Sequence, residues 1–289
     1  MSTRRPSSVL AAAAAAIAVA VCGAPAAGAA TTTDTSTNWA GYVAGRTGVR
    51  FRHVSATWVQ PAVSCQAGTP TYTSAWLGLG GNSETSQALE QIGTEADCTA
   101  TGTARYSSWY ELVPDVSHSA RLTVKAGDQL HASVGVSGHR VTVTLANLTR
   151  GTHFTKTMRA ATVDTSSAEW IVEAPSLCAD ASLSSCRLGA LGNFGTTSFT
   201  GANATTTGGH TGTVSDAAWD ATAVNLTAAG GRGPRFTEAQ SRGDAGGEAV
   251  TGALDATGAA FSVTYQQSSA PVGGPGGVDG PGFAGRRMG

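Results

Sequence analysis

Two glutamates and a glutamine are the residues of this sequence with the most chemistry to offer. The stretch Ser167-Ala168-Glu169-Trp170-Ile171-Val172-Glu173-Ala174-Pro175 has the β-branched and aromatic content of a strand, stopped by its proline. Side chains alternate along a strand, so Ala168, Trp170 and Val172 share one face and Glu169, Ile171 and Glu173 the other. Two carboxyls on the face of an apolar strand are either solvated or held in a sheet-lined cleft, where burial raises a carboxyl pKa toward acid–base work. Gln87 to Gly93 reads as a second strand, with Leu89, Gln91 and Gly93 on one face and Ala88, Glu90 and Ile92 on the other. Arg105 to Val113 reads as a third, with Trp109 and Glu111 pointing the same way and Pro114 as its stop. Taken singly, Gln91 reads as a polar strand residue, Trp76 and Trp109 as packing, and Glu111 as a structural carboxylate.

Other chemistries lack their residues. The sequence holds no Gly-x-Ser-x-Gly, no HExxH, and no Asp-Thr-Gly or Asp-Ser-Gly, and its six histidines are scattered without ligand spacing. Glu169 and Glu173 stand four residues apart, about 13 Å along a strand at roughly 3.3 Å per residue. Paired-carboxylate glycosidases need about 5–5.5 Å or roughly 6.5–9.5 Å, so these two do not read as a pair with each other. What is left is a chemistry of carboxylates and amides.

The elements that must position these groups are short strands. Phe51–Val59, Ser74–Leu79, Leu122–Val124, Gln129–Val136, Arg140–Leu145, His153–Met158, Leu191–Phe199, Trp219–Leu226 and Ala260–Tyr265 read as strands between Gly, Asn and Pro turns. No stretch keeps a helical period, so the expected fold is an all-β antiparallel sandwich or barrel. Residues 1–30 read as a secretory signal peptide: Arg4 and Arg5, an apolar run from Val9 to Val21, then Ala27-Gly28-Ala29. Residues 31–265 form the expected domain, and the Gly/Pro-rich residues 266–289 an unstructured tail. Four cysteines follow the leader, Cys65, Cys98, Cys178 and Cys186. An even number in a secreted chain suggests two disulfides, three pairings are possible, and proximity favours Cys65–Cys98 with Cys178–Cys186. The formal charge is −1, charged residues make up 13%, about half the usual share, and no basic block occurs, which argues against a nucleic-acid partner. No later stretch is long and apolar enough for a helical membrane span.

The ordered set of motifs brings a family into view. Asn38-Trp39-Ala40-Gly41, Ser74-Ala75-Trp76-Leu77-Gly78, Ala88-Leu89-Glu90-Gln91-Ile92-Gly93, Trp109-Tyr110-Glu111-Leu112-Val113-Pro114 and Ala168-Glu169-Trp170-Ile171-Val172-Glu173 together resemble the eqolisins, the glutamic peptidases, over nearly the whole expected domain. The resemblance implies a two-sheet antiparallel β-sandwich, concanavalin A/lectin-like in outline. It implies a secreted endopeptidase, active in acid, that hydrolyses polypeptides with a Glu/Gln pair and a directly attacking water. The pair carries over to Glu173 and Gln91, with Glu169 as the competing choice of glutamate. Trp76, Trp109, Glu111 and Glu95 match residues lining the family's cleft. Gly80 stands where fungal relatives carry an aspartate, Val113 where they carry a tyrosine, and Glu95 where relatives carry an aspartate. The resulting expectation is a monomer with no metal, no cofactor, no nucleic-acid partner and no membrane. A secreted lectin-like module that binds carbohydrate or peptide, with Trp76 and Trp109 as stacking platforms, is the rival reading.

Overall fold

The computed structural model describes residues 1, 31–83, 85–178, 186–227 and 246–268. The expected leader and nearly all of the expected tail lie outside them. In chain order the strands are β1 (Thr31–Ser36), β2 (Trp39–Gly45), β3 (Phe51–Val59), β4 (Ser74–Gly80), β5 (Leu89–Cys98), β6 (Ala104–Val113), β7 (His118–Ser119), β8 (Gln129–Ser137) and β9 (Arg140–Asn147). They continue with β10 (Thr152–Arg159), β11 (Ser167–Glu173), β12 (Ser176–Cys178), β13 (Cys186–Leu188), β14 (Thr196–Thr206), β15 (Thr211–Thr213), β16 (Asp220–Leu226), β17 (Gly247–Thr251) and β18 (Phe261–Gln267). No helix occurs among the described residues. The all-β expectation holds.

One sheet contains all but β12 and β13, in the order β10-β9-β8-β3-β14-β18-β17-β16-β2-β11-β4-β5-β6-β7, with β1 paired to β16 and β15 to β14 off that path. It turns a corner at β16–β17, which pair only at Leu226 and Ala249. The halves on either side of that corner form the two layers of the sandwich. Two indole donors tie layer to layer: Trp58 Nε1 donates to Thr94 Oγ1 at 3.2 Å, and Trp170 Nε1 to the Ser55 carbonyl at 3.0 Å. Between the layers lies the main core, with Trp58, Trp170, Phe199, Ile92, Leu77, Val172 and Ala168 all buried. Fully burying one such Leu, Ile or Phe side chain contributes about 1.5–3 kcal/mol.

Several elements differ from the sequence reading. Leu122–Val124 is not a strand. Arg121 has φ 54°, which breaks the extended chain, and the segment is held to β6 by bonds at Ser108: the Ala120 N–H to its carbonyl, and Leu122 to its hydroxyl. Leu122 and Val124 alternate because both are buried in the core. The Leu191–Phe199 strand begins only at Thr196, after Gly195 with φ 64°, and runs on to Thr206. The last strand reaches Gln267, two residues past the expected domain boundary. Strands β1, β2, β7, β12, β13, β15 and β17 have no counterpart in the sequence reading. The Cys65–Cys98 disulfide is formed. Cys186 is also disulfide-bonded, and the backbone register places it opposite Cys178.

Candidate active site

Five neighbouring strands, β2, β11, β4, β5 and β6, carry the site on the sheet face turned away from the main core. Their registers fix three rows of side chains. Trp39, Glu173, Ser74, Glu95 and Ser107 form the first; Gly41, Ile171, Trp76, Gly93 and Trp109 the second; Val43, Glu169, Gly78, Gln91 and Glu111 the third. All six expected site residues fall in these rows, as does Glu169. The face assignments made from strand alternation hold for β11 and β5: Val172 and Ile92 enter the main core, whereas Ile171 and Leu89 join Trp39, Val43, Trp76, Trp109 and Val224 in a second apolar cluster on the site face.

Glycine makes the middle row possible. A Cβ built on Gly93 would stand 2.5 Å from Trp76 Cβ and 2.6 Å from the Ala75 carbonyl, with Trp109 Cζ2 at 3.1 Å. Trp76 and Trp109 therefore close over bare backbone. Trp76 also packs edge-on against Trp39, ring centroids 5.0 Å apart, and Trp109 Nε1 donates to Ser74 Oγ at 3.0 Å.

The polar groups divide into two pairs of contacts. Glu173 Oε2 accepts from Trp76 Nε1 at 2.6 Å, and Oε1 accepts from Asn38 Nδ2 at 3.1 Å. Gln91 Nε2 donates to Glu111 Oε2 at 2.7 Å, while Gln91 Oε1, buried, has no hydrogen-bond partner. Gln91 and Glu173 share the face but are two strands and two rows apart, and Gln91 bonds Glu111 instead. Glu95 lies in the Glu173 row and accepts from Ser107 Oγ. Glu169, fully buried, faces Gln91 across Gly78. Asn38 contacts Glu173 directly, and the sequence reading gave it no role; its one signal was its place in the opening motif.

Burial, and next the charge of Glu173, pushes the Glu111 carboxyl up from its ordinary 4.5 to about 7. Glu173 is thus close enough to be felt at Glu111, and through Glu111 at the Gln91 amide. Asp97, one step along from Glu95 on the same face, is raised to about 7, by burial first and then by the Glu95 charge. Among the described residues no group of three or more His, Cys, Asp or Glu could hold a metal ion. The arrangement offers a carboxylate that accepts from two neutral donors, an amide whose buried carbonyl has no hydrogen-bond partner, a second carboxyl that stays protonated in acid, and two buried indoles.

Residues 37–246 match the model of the peptidase A4 family. The chain belongs to the peptidase A4, or eqolisin, family. This A4 peptidase is 30% identical over 224 residues to aspergillopepsin-2 of Aspergillus niger, a match covering 68% of this chain and 75% of the relative. Aspergilloglutamic peptidase from Aspergillus niger, a solved structure, is 28% identical with a TM-score of 0.50, over 68% of this chain and 99% of that one. Scytalido-glutamic peptidase, solved with a transition-state analog inhibitor, matches with a TM-score of 0.59 at 24% identity, over 79% of this chain and 98% of that one, and bears out the eqolisin sandwich fold. The family resemblance read from the motifs holds, and the enzyme is a glutamic peptidase.

Proposed function

We propose that this A4 peptidase is a secreted endopeptidase that cleaves polypeptides in acid, with Glu173 as its base and Gln91 as its oxyanion donor. Amide hydrolysis without a metal or covalent nucleophile needs a base for water, a donor for the oxyanion and an acid for the leaving nitrogen. The observation that carries the reading is the pair of hydrogen bonds into the Glu173 carboxylate. Two donors favour its ionised form, so it can take a proton from water at a pH where histidine is already charged. Having taken that proton, Glu173 can pass it to the leaving nitrogen.

Gln91 fits the second role. Its NH₂ carries two protons; one is given to Glu111, and the other is available to a developing oxyanion. Its Oε1, buried and without a hydrogen-bond partner, is an acceptor left for the attacking water. The Glu111 carboxyl anchors this amide and, raised to about 7, adds no negative charge beside the oxyanion in acid. The aromatic walls, Trp76 and Trp109, and the Glu95 side chain border the path of an extended peptide. Secretion is supported by the Cys65–Cys98 disulfide, which suits an oxidising compartment.

The test is proteolysis of a denatured protein at acidic pH. Glu173→Gln and Gln91→Ala are expected to stay folded and to lose about 10²–10³ in rate or more. Glu169→Gln is expected to retain more activity than Glu173→Gln. An inactive Glu169→Gln beside an active Glu173→Gln would transfer the base to Glu169. A wild-type protein that binds peptide or glycan but cleaves nothing would favour a binding module.

A further inference from the structure

We propose that Ser36 and Asn38 are positioning residues that hold Glu173 ionised and aimed, a role that rests on Glu173 being the base. Both are fully buried. Ser36 ends β1, and Asn38 precedes β2. A serine hydroxyl has one proton to give and two lone pairs to receive. The lone pairs of Ser36 Oγ accept from the backbone N–H groups of Asn38 at 3.3 Å and Trp39 at 3.2 Å. Its proton is left for Asn38 Oδ1 at 3.0 Å. With Oδ1 so occupied, the Asn38 amide can present only its NH₂ to Glu173 Oε1, at 3.1 Å. The sense of the amide is therefore set by two backbone donors and is independent of pH.

The relay works against the charges around it. Glu111 from β6, Glu95 from β5, Glu169 from the same strand and Asp34 from β1 all lie on this face. Each, when ionised, disfavours a charge on Glu173. The amide of Asn38 and the indole of Trp76 are neutral donors, one to each carboxylate oxygen, so they favour the ionised base without adding a cation that would compete for it. They also fix the carboxylate plane.

The experiment is the pH profile of kcat/KM on a peptide substrate for wild type, Asn38→Ala, Ser36→Ala, Ser36→Thr and Glu173→Gln, with thermal melts alongside. Removing a donor raises the pKa of Glu173, so the acid limb moves to higher pH: by about one unit in Asn38→Ala, by less in Ser36→Ala, and back toward wild type in Ser36→Thr, which restores the hydroxyl. If Asn38→Ala does not fold, Ser36→Ala and its rescue by threonine carry the test. Folded variants whose profiles drop uniformly, with the acid limb unmoved, would overturn the relay and leave Glu173 as base. A Glu173→Gln enzyme with wild-type activity would overturn the base and the relay together.

Discussion

At the residue scale, the site depends on neutral donors and on one carboxyl kept protonated. Trp76, fully buried, is a 2.6 Å donor to Glu173 and, on the proposed function, a wall beside the substrate path, and the two roles are separable. Trp76→Phe keeps a ring against Trp39 but removes the N–H. It is expected to move the acid limb of kcat/KM up and to lower the maximum by about tenfold, the worth of roughly 1.4 kcal/mol; an unmoved limb would show that the indole serves as a wall alone. Glu111 makes the opposite prediction. With its pKa raised to about 7, it ionises near neutrality beside Gln91, the proposed oxyanion donor, and within reach of the Glu173 charge, so activity is expected to fall as pH rises through about 7. Glu111→Gln still accepts from Gln91 Nε2 through its amide carbonyl and cannot ionise, so its profile is expected to extend to higher pH. That Gln91 pairs with Glu111 depends on β5 lying beside β6 in register, which alternation within each strand does not reveal. The proposed Ser36–Asn38 relay was illegible for a related reason: Ser36 lies outside the opening motif that contains Asn38, and Glu173 lies 135 positions from Asn38.

At the scale of elements, periodicity found the strands that bury one face and missed those that do not. β8 and β9 were legible because buried apolar residues occupy alternate positions, whereas β11, buried on both faces, was legible from its β-branched and aromatic content and the proline that stops it. β1 reads Thr-Thr-Thr-Asp-Thr-Ser and has no apolar residue to count, yet it pairs in parallel with β16 along its whole length. Its worth is its backbone ladder and the Ser36 it delivers, neither of which shows as a hydrophobic pattern. The Leu122–Val124 segment failed in the other direction, because burial of alternate residues needs no ladder when a neighbouring side chain supplies the hydrogen bonds. Close packing inside the site gives a sharper test of element geometry. Gly93→Ala puts a methyl group within 2.6 Å of backbone on β4, so β4 and β5 must part or the indoles must move. A loss of about 1–3 kcal/mol is expected, with a lowered Tm, altered tryptophan fluorescence and reduced activity; an alanine variant with wild-type values would show that the middle row is looser than its register. The Cys65–Cys98 bond closes a loop of sequence separation 33 that contains the whole of β4 and β5. On the chain-entropy account its removal by paired Ser substitution is expected to cost about 3–4 kcal/mol, measurable by urea unfolding.

At the scale of the whole molecule, the balance of carboxyls sets where in pH the fold is strongest. Glu90 sits beside Gln91 in sequence but on the opposite face of β5, fully buried in the core layer between Leu79 and Leu112 of the adjoining strands. Burial raises it from 4.5 to about 9, with the Asp164 charge pushing the same way. Glu111 and Asp97, both near 7, are raised as well. For each of them the folded state keeps a proton that the unfolded chain gives up near 4. Their contribution is present in full below the unfolded value and is lost as pH climbs through the folded one. Asp164 behaves in the other sense: burial would raise it, but the Ser86 hydroxyl and Ser166 outweigh that and hold it below 3.8, so its contribution fades only as the solution becomes strongly acidic. With few lysines and 13% charged residues, little else opposes these terms. The melting temperature is expected to peak near pH 4 and to decline in two stages, steeply toward 7, where the fold keeps protons on Glu111, Asp97 and Glu90 that the unfolded chain has lost, then more gently toward 9, where only Glu90 does. Each kcal/mol lost lowers the Tm of a domain this size by roughly 2–4 °C. Glu90→Gln preserves the shape and cannot ionise, so it is expected to abolish the second stage and to make the first shallower. A wild-type Tm that rises between pH 5 and 9, or a second stage unchanged in Glu90→Gln, would assign alkaline stability to other groups.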